Sequence, residues 1–337
     1  MALPGKGSFS AALSGAALVL LALAILALGL GAYPISLSDL AAAFGLRSGA
    51  LSQAAETVIW QIRLPRIIGA MFVGAALAAS GSSYQALFRN PLVSPDILGV
   101  SSGAALGAVL GIYLGLPILG IEAMSFAGGL GTVSLVYVIA AWMRRSDPVL
   151  VLVLTGVVIG ALLGSGVALL KFLADPLNQL PTITFWLLGS LAAFNRSDLT
   201  ILVPTVGLAV LPLVLLRWRL DVMSLGEEEA ISLGVDVRLT RTVVILGATL
   251  MTASAVAVTG IVGWVGLLVP HLARLVVGPA FARLLPMSIV LGAAYLLAVD
   301  TAARMIGAVE VPLGVLTAII GTPVFLWLLA RGRGGTW

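Results

Sequence analysis

Cysteine is absent from the 337 residues, histidine occurs once, at His271, and lysine only twice, at Lys6 and Lys171. Without cysteine there is no disulfide frame and no thiolate metal site. One histidine alone does not make a protein-built transition-metal site. Neither lysine stands in a G-x-x-x-x-G-K-[ST] run, so the chain carries no Walker A motif and is not itself a P-loop ATPase. No nucleophile–base–acid arrangement appears either, which argues against an enzyme. Charge is the scarcest property: 9% of residues against roughly a quarter in ordinary soluble domains. With 60% hydrophobic residues and a mean hydropathy of +1.16, too few polar groups remain to cover a water-facing globule. The class that survives is an all-α, polytopic membrane protein. The net charge of +4 is small, and in such a chain it speaks of topology rather than nucleic-acid binding.

What is present is a succession of apolar runs. A spanning helix needs about 20 mostly apolar residues. Charge-free windows of that order fall at 11–33, 67–88, 97–121, 123–143, 149–170, 199–216 and 311–330. A shorter window at 284–299 runs on through Asp300 and Arg304, and the long run 242–278 holds two passes with a break near GIVGWVG (260–266). The sum is about ten helices in a single transmembrane unit spanning 1–337. The first run has too long an apolar core for a cleaved signal. Residues 34–62 form a long connection with helical periodicity near 37–44, and 181–191 suit a helix lying in the interface, anchored by Phe185 and Trp186.

With ten passes both termini share one side. That side receives Lys6, Arg89, Arg144, Arg145, Arg217, Arg219, Arg238, Arg241, Arg283, Arg331 and Arg333. The other receives Arg47, Arg63, Arg66, Lys171, Arg196 and Arg304, while Arg274 sits inside helix eight. The positive-inside bias makes the richer side, and both termini, cytoplasmic. Gly81 precedes Pro91 by ten residues, as Gly260 precedes Pro270, in helix pairs five passes apart. An odd offset gives the two copies opposite orientation, the pattern of an inverted internal repeat.

Four features carry the functional reading. Gly103, Gly107, Gly111 and Gly115 recur every four residues, as do Gly156, Gly160 and Gly164. Either face serves close helix packing, or part of it lines a passage. In RNPLVSPDILG (89–99), Pro91 and Pro95 bias Asn90 and Ser94 away from helix. The second helix should therefore end near Asn90 and the third begin near Pro95, as a plain turn or as a constriction at a pathway mouth. In the loop RWRLDVMSLGEEEAISLGVDVRLTR (217–241), Ser224 and Glu227 match a capping box. There Ala230, Ile231 and Leu233 give a small apolar face, and Gly234 suits the C′ position. Asp300 and Arg304 are spaced to pair, near a helix end, where a structural or interfacial role outweighs a proton relay.

Several segments together resemble the FecCD-type permease subunits of ABC importers for iron-siderophores, haem and cobalamin. They are RLPR (63–66), QALFRNPLVSPDILGVSSGAALG (85–107), GEEEAISLGV (226–235), GIVGWVGLLVPHLARLVVG (260–278), RLLP (283–286) and VPLGVLTAIIGTPVFLWLL (311–329). One departure is GPAFARLLP (278–286), where many members carry an Asp-His pair before the arginine. The resemblance implies a BtuC-like type II importer fold and a homodimer with the pathway on its two-fold axis. It further implies two cytosolic ABC ATPase subunits, which hydrolyse ATP with Mg, and an extracytoplasmic substrate-binding protein; this chain itself binds no cofactor. It makes Asn90, Pro91 and Leu92 gate candidates, with Pro148 and Val149 supplying a second gate. Gly226, Glu227, Glu228, Glu229, Ala230, Leu233 and Gly234, within a cytosolic segment 221–239, become the part seated in the ATPase. Arg63, Arg66 and Arg304 occupy positions that meet acidic residues of the binding protein. The expected location is a bacterial or archaeal cytoplasmic (inner) membrane. The expected cargo is a bulky metal chelate, iron-siderophore or haem, with cobalamin or an oxyanion as the alternative. An ion-coupled secondary transporter would instead require carboxylates near the bilayer midplane, and the sequence offers none that convince.

Overall fold

The computed structural model describes residues 6–31, 33–46, 51–143, 148–307 and 309–331. Arg47, Arg144, Arg145 and Arg333, counted above toward the charge bias, lie outside them, and Pro148 is described in its backbone only. Every regular element among the described residues is a helix.

The first described helix, α1 (Lys6–Gly29), leads to a short helix, α2 (Leu37–Ala43). Ser36 and Asp39 form a capping box there: Ser36 Oγ accepts from Asp39 N (3.1 Å), and Asp39 Oδ2 accepts from Ser36 N (3.2 Å). Next comes α3 (Gln53–Thr57), a π-helical turn over Val58–Arg63, and α4 (Leu64–Leu87), which together make one continuous 35-residue rod. After a turn and a 3₁₀ segment (Pro95–Leu98) the chain returns as α5 (Val100–Tyr113), α6 (Ile118–Trp142) and α7 (Pro148–Leu173). The short α8 (Gln179–Leu188) precedes α9 (Arg196–Leu215), α10 (Arg217–Met223) and α11 (Glu227–Ser232). Four more follow: α12 (Val237–Thr259), α13 (Val265–Val277), α14 (Phe281–Ala303) and α15 (Leu313–Arg331).

Among the described residues seven helices are long and apolar enough to cross a bilayer, and α5, α13 and the apolar part of α15 are shorter. Ten crossings therefore require those three to be completed by other backbone. For α5 the backbone available is the 3₁₀ segment before it, joined to the helix through a left-handed Gly99 (φ 78°). For α13 it is the unwound stretch 260–264, bounded by Gly260 and Trp264, both at φ 70°. Irregular backbone at membrane depth must be buried in protein or face water. Here Ser190 N donates to the Thr259 carbonyl (2.7 Å) and Leu313 N to the Gly189 carbonyl (2.9 Å), so the end of α8 and the start of α15 close over the break.

The core is α4 and α12, 67% and 72% of whose apolar windows are buried, against 11% for α1 and 17% for α7. Small residues let them approach, and hydroxyls tie them: Ser80 Oγ to Thr252 Oγ1 (2.8 Å) and Tyr84 Oη to Thr249 Oγ1 (3.1 Å). Such interhelical bonds average about 0.6 kcal/mol each in a membrane. The glycine rows are mostly packing. A Cβ on Gly107 would meet the Met124 carbonyl at 2.1 Å and one on Gly156 the Ile97 carbonyl at 2.3 Å, whereas Gly164 faces open space.

The Gly–Pro spacing does not mark equivalent sites. Gly81 lies inside α4 and Pro91 in the turn after it, while Gly260 ends α12 and Pro270 lies inside α13. The echo is in the lengths instead: helices of 24 and 23 residues, each followed by a break and a short helix of 14 or 13.

Candidate coupling, gating and docking sites

At one end of the bundle, which we call the α11 end, the loop 217–236 folds against the helices. Ser224 does not cap α11. It is the C-cap of α10, and its Oγ donates to the Asp221 carbonyl (2.6 Å); the N-cap of α11 is Gly226, which has no side chain to offer. The capping-box expectation therefore fails, because a helix that the charged loop conceals has already claimed the serine. Gly226 adopts φ 147°, and a Cβ there would meet Glu229 Oε2 at 1.9 Å. The other end of α11 follows the expectation. Gly234 (φ 80°) donates to Ile231 O and Val235 N to Ala230 O, the paired bonds of a Schellman motif.

Ala230 is fully buried and roots the segment, and Glu227 pairs with Arg241 of α12. Glu228, Glu229, Ile231 (63% exposed) and Leu233 (55%) face outward. The apolar face expected from Ala230, Ile231 and Leu233 is thus split into one anchor and two presented side chains, rimmed by carboxylates.

The turn after α4 lies at the same end. Arg89 is held at φ 49°, Asn90 N donates to the Gln85 carbonyl (3.1 Å), and Leu92 N donates to Asn90 Oδ1 (2.9 Å). Pro91 follows that asparagine, and Leu92 is 52% exposed. The turn hangs from Gln85, whose Nε2 donates to the Leu267 carbonyl (3.3 Å) and whose Oε1 accepts from Arg274 Nη2 (3.0 Å). Pro148 is the first residue of α7, and Val149 is partly buried against the core. The two segments expected to gate therefore share one end, and α7 touches the 3₁₀ segment where Gly156 meets Ile97.

At the opposite end the three arginines expected to meet a binding protein are turned inward. Arg63 is buried and donates to the carbonyls of Leu28, Gly29 (3.1 Å) and Tyr33. Arg66, also buried, forks onto two carboxylates: Asp300 (2.9 Å) and Glu310 (2.7 Å). Arg304 pairs through Nε with Asp300 Oδ2 (3.3 Å), as the four-residue spacing foresaw. These three residues spend their charge within the chain, bracing the ends of α1, α4 and α14 that lie opposite α11, and present little of it at the surface. What lies exposed there is a recess of about 470 Å³ lined by Gln53, Glu56, Thr57, Trp60, Gln61 and Arg196, with Arg196 donating to the Trp60 carbonyl (2.8 Å). Nearby, hydrogen bonds from the Ser36 side chain and backbone hold the Asp39 carboxyl below its usual range.

Sequence reasoning missed Gln85, Asp221 and Glu310, and it left Arg274 without a role. Arg274 could have been found, since a charge within an apolar helix is a functional signal by default. The others depend on partners far away in sequence.

A profile described as the FecCD transport family matches residues 19–331. The molybdate import system permease of Haemophilus influenzae is 39% identical over 97% of this chain and 98% of its own length. A probable iron chelatin transport system permease of Helicobacter pylori is 40% identical over 82% and 83%. A solved structure described as an inward-facing putative metal-chelate type ABC transporter superposes with a TM-score of 0.87 at 38% identity, covering 96% of this chain and 99% of that one. By profile, by relatives and by fold, the chain belongs to the FecCD transport family.

Proposed function

We propose that this permease is the membrane-spanning subunit of an ATP-driven importer, working as a homodimer with two cytosolic ATPase subunits and an extracytoplasmic binding protein. The observation that carries the reading is α11: a short helix rooted by Ala230 and the Glu227–Arg241 pair, presenting Ile231 and Leu233 within a ring of carboxylates. An apolar anchor with a charged rim is the form of a helix seated in a partner's groove. The α11 end is then cytoplasmic, with both termini, in the bacterial inner membrane. ATP binding and hydrolysis in the partners would move α11 and, through it, the turn Asn90–Leu92 and the start of α7, Pro148 and Val149. The binding protein would meet the polar recess around Glu56 and Arg196 at the other end.

The cargo reading is a bulky metal chelate, iron-siderophore or haem. In support, the exposed residues of α7 from Leu150 to Leu169 are almost all apolar, Leu154, Val157, Val158 and Leu162 among them, and carry no charge that would grip a bare ion. A cobalamin or oxyanion cargo is the second reading. The oxyanion is favoured by the molybdate relative, whose match spans 97% of the chain.

The test is uptake in proteoliposomes holding this chain with its ATPase and binding protein. Ferric siderophore, haem, cobalamin and molybdate would be offered separately. ATP-dependent uptake of a chelate supports the reading, and uptake of molybdate alone replaces the cargo. Uptake driven by an ion gradient without ATP would sink the importer reading itself.

A further inference from the structure

α14 begins without a local cap. Its N-cap residue is Ala280, which has no side-chain acceptor, so the first backbone N–H groups of the helix need a partner from elsewhere. Asp221 supplies it from α10, 60 residues away: Oδ1 accepts from Phe281 N (2.5 Å) and Oδ2 from Ala282 N (3.3 Å). A carboxylate there also meets the positive end of the helix dipole. The same residue is fixed at its own end, since Leu220 and Met223 of α10 are buried and Ser224 Oγ bonds to the Asp221 carbonyl. Three residues after Ser224, α11 begins. At its far end α14 carries Asp300, the buried carboxylate that accepts from Arg66 and forms an ion pair with Arg304.

One continuous 23-residue helix thus joins the loop that bears α11 to the charge cluster of the opposite end. The second joint of that loop, Glu227–Arg241, leads to α12. The two joints differ in kind. The Glu227 pair is partly exposed, whereas Asp221 grips backbone amides, which no rotation of a side chain can release on the α14 side.

We infer that Asp221 is the positioning residue that transmits movement of the α11 loop to α14, so that displacement at the ATPase side reaches the Arg66–Asp300 cluster. The inference rests on the proposed seating of α11 in an ATPase.

The experiment measures uptake and ATP hydrolysis side by side in proteoliposomes with the ATPase and binding protein present. Asp221→Ala is expected to lower uptake per ATP hydrolysed by at least about fivefold, the low end of ordinary coupling between sites. Hydrolysis itself continues. Asp221→Asn, which keeps one acceptor oxygen, should lose less and serves if the alanine variant does not fold. The deciding variant adds Ala280→Asp to Asp221→Ala, giving α14 a cap of its own. Thermal stability should return while uptake per ATP stays low, because the helix end is satisfied but no longer tied to α10. Recovery of uptake with the local cap would overturn the inference and leave Asp221 a stabilising residue only. So would wild-type coupling in Asp221→Ala. Glu228→Arg separates the two levels: if the ATPase still copurifies with that variant, the seating of α11 is what has failed.

Discussion

Gly81 of α4 lies directly against the Gly266 carbonyl of α13: a Cβ built on it would come within 1.9 Å of that oxygen. The contact is backbone on backbone, so nothing flexible can yield. Gly81→Leu is therefore expected to destabilise by about 1–3 kcal/mol or more, as overpacking does, and to lower the yield of folded protein. Gly164→Leu is the control, since a Cβ at that position would meet nothing within 4 Å. Thermal unfolding in detergent compares the two. Equal losses would show that the close approach is not what holds α4 to α13.

The charge cluster at the end opposite α11 predicts an order of losses. Asp300 is fully buried and serves two arginines, so Asp300→Ala leaves both short of an acceptor and should cost about 3–5 kcal/mol. Glu310 is 37% exposed, and Glu310→Ala should cost about 1 kcal/mol or less. Arg66→Lys is not expected to substitute, because a single ammonium cannot fork onto both carboxylates. The same unfolding measurement gives the ranking, and a reversed order would contradict the assignment.

At α11, Glu227→Lys should weaken the tie to α12. Pairing it with Arg241→Glu should recover part of the loss, with a coupling of about 0.5–1 kcal/mol for a pair this open to water. Glu228→Arg should leave unfolding unchanged, because that side chain is exposed, yet reduce copurification of an ATPase subunit. A fall in stability with normal copurification would reassign Glu228 to the fold.

Removing the Arg274 guanidinium strands the Gln85 side-chain oxygen, at about 1–3 kcal/mol for a buried acceptor left unmade. The consequence should be visible at the turn that Gln85 holds. The chain has no cysteine, so a single introduced thiol, Leu92→Cys, reports on this turn without background. Its reaction with a thiol reagent should quicken when Arg274→Ala is added. An unchanged rate would mean that the turn is held by its own Asn90 bonds.

The apolar runs were legible because bilayer thickness writes itself into run length, and even the break near 260–266 showed through its glycines. The ends of helices were less so. The sequence windows excluded Arg63 and Arg66 from the second helix, yet the helix continues through both, since their charges are met by carbonyls and by carboxylates. Ser224 misled because its capping pattern is local, while the residue that ends α10 is decided by the packing of Leu220 and Met223. The inward turn of Arg63, Arg66 and Arg304 was not legible at all. Asp300 lies 234 residues beyond Arg66, and Glu310 244, and nothing in either neighbourhood names the other.

That same separation sets a condition on biosynthesis. At about 5–20 residues per second the ribosome needs roughly 10–50 s to make the intervening chain. For that interval the nascent permease holds Arg66 with neither of its carboxylates yet made. An unpaired guanidinium is costly within the bilayer, so Arg66 is expected to stay at the wet membrane edge until α14 brings it Asp300.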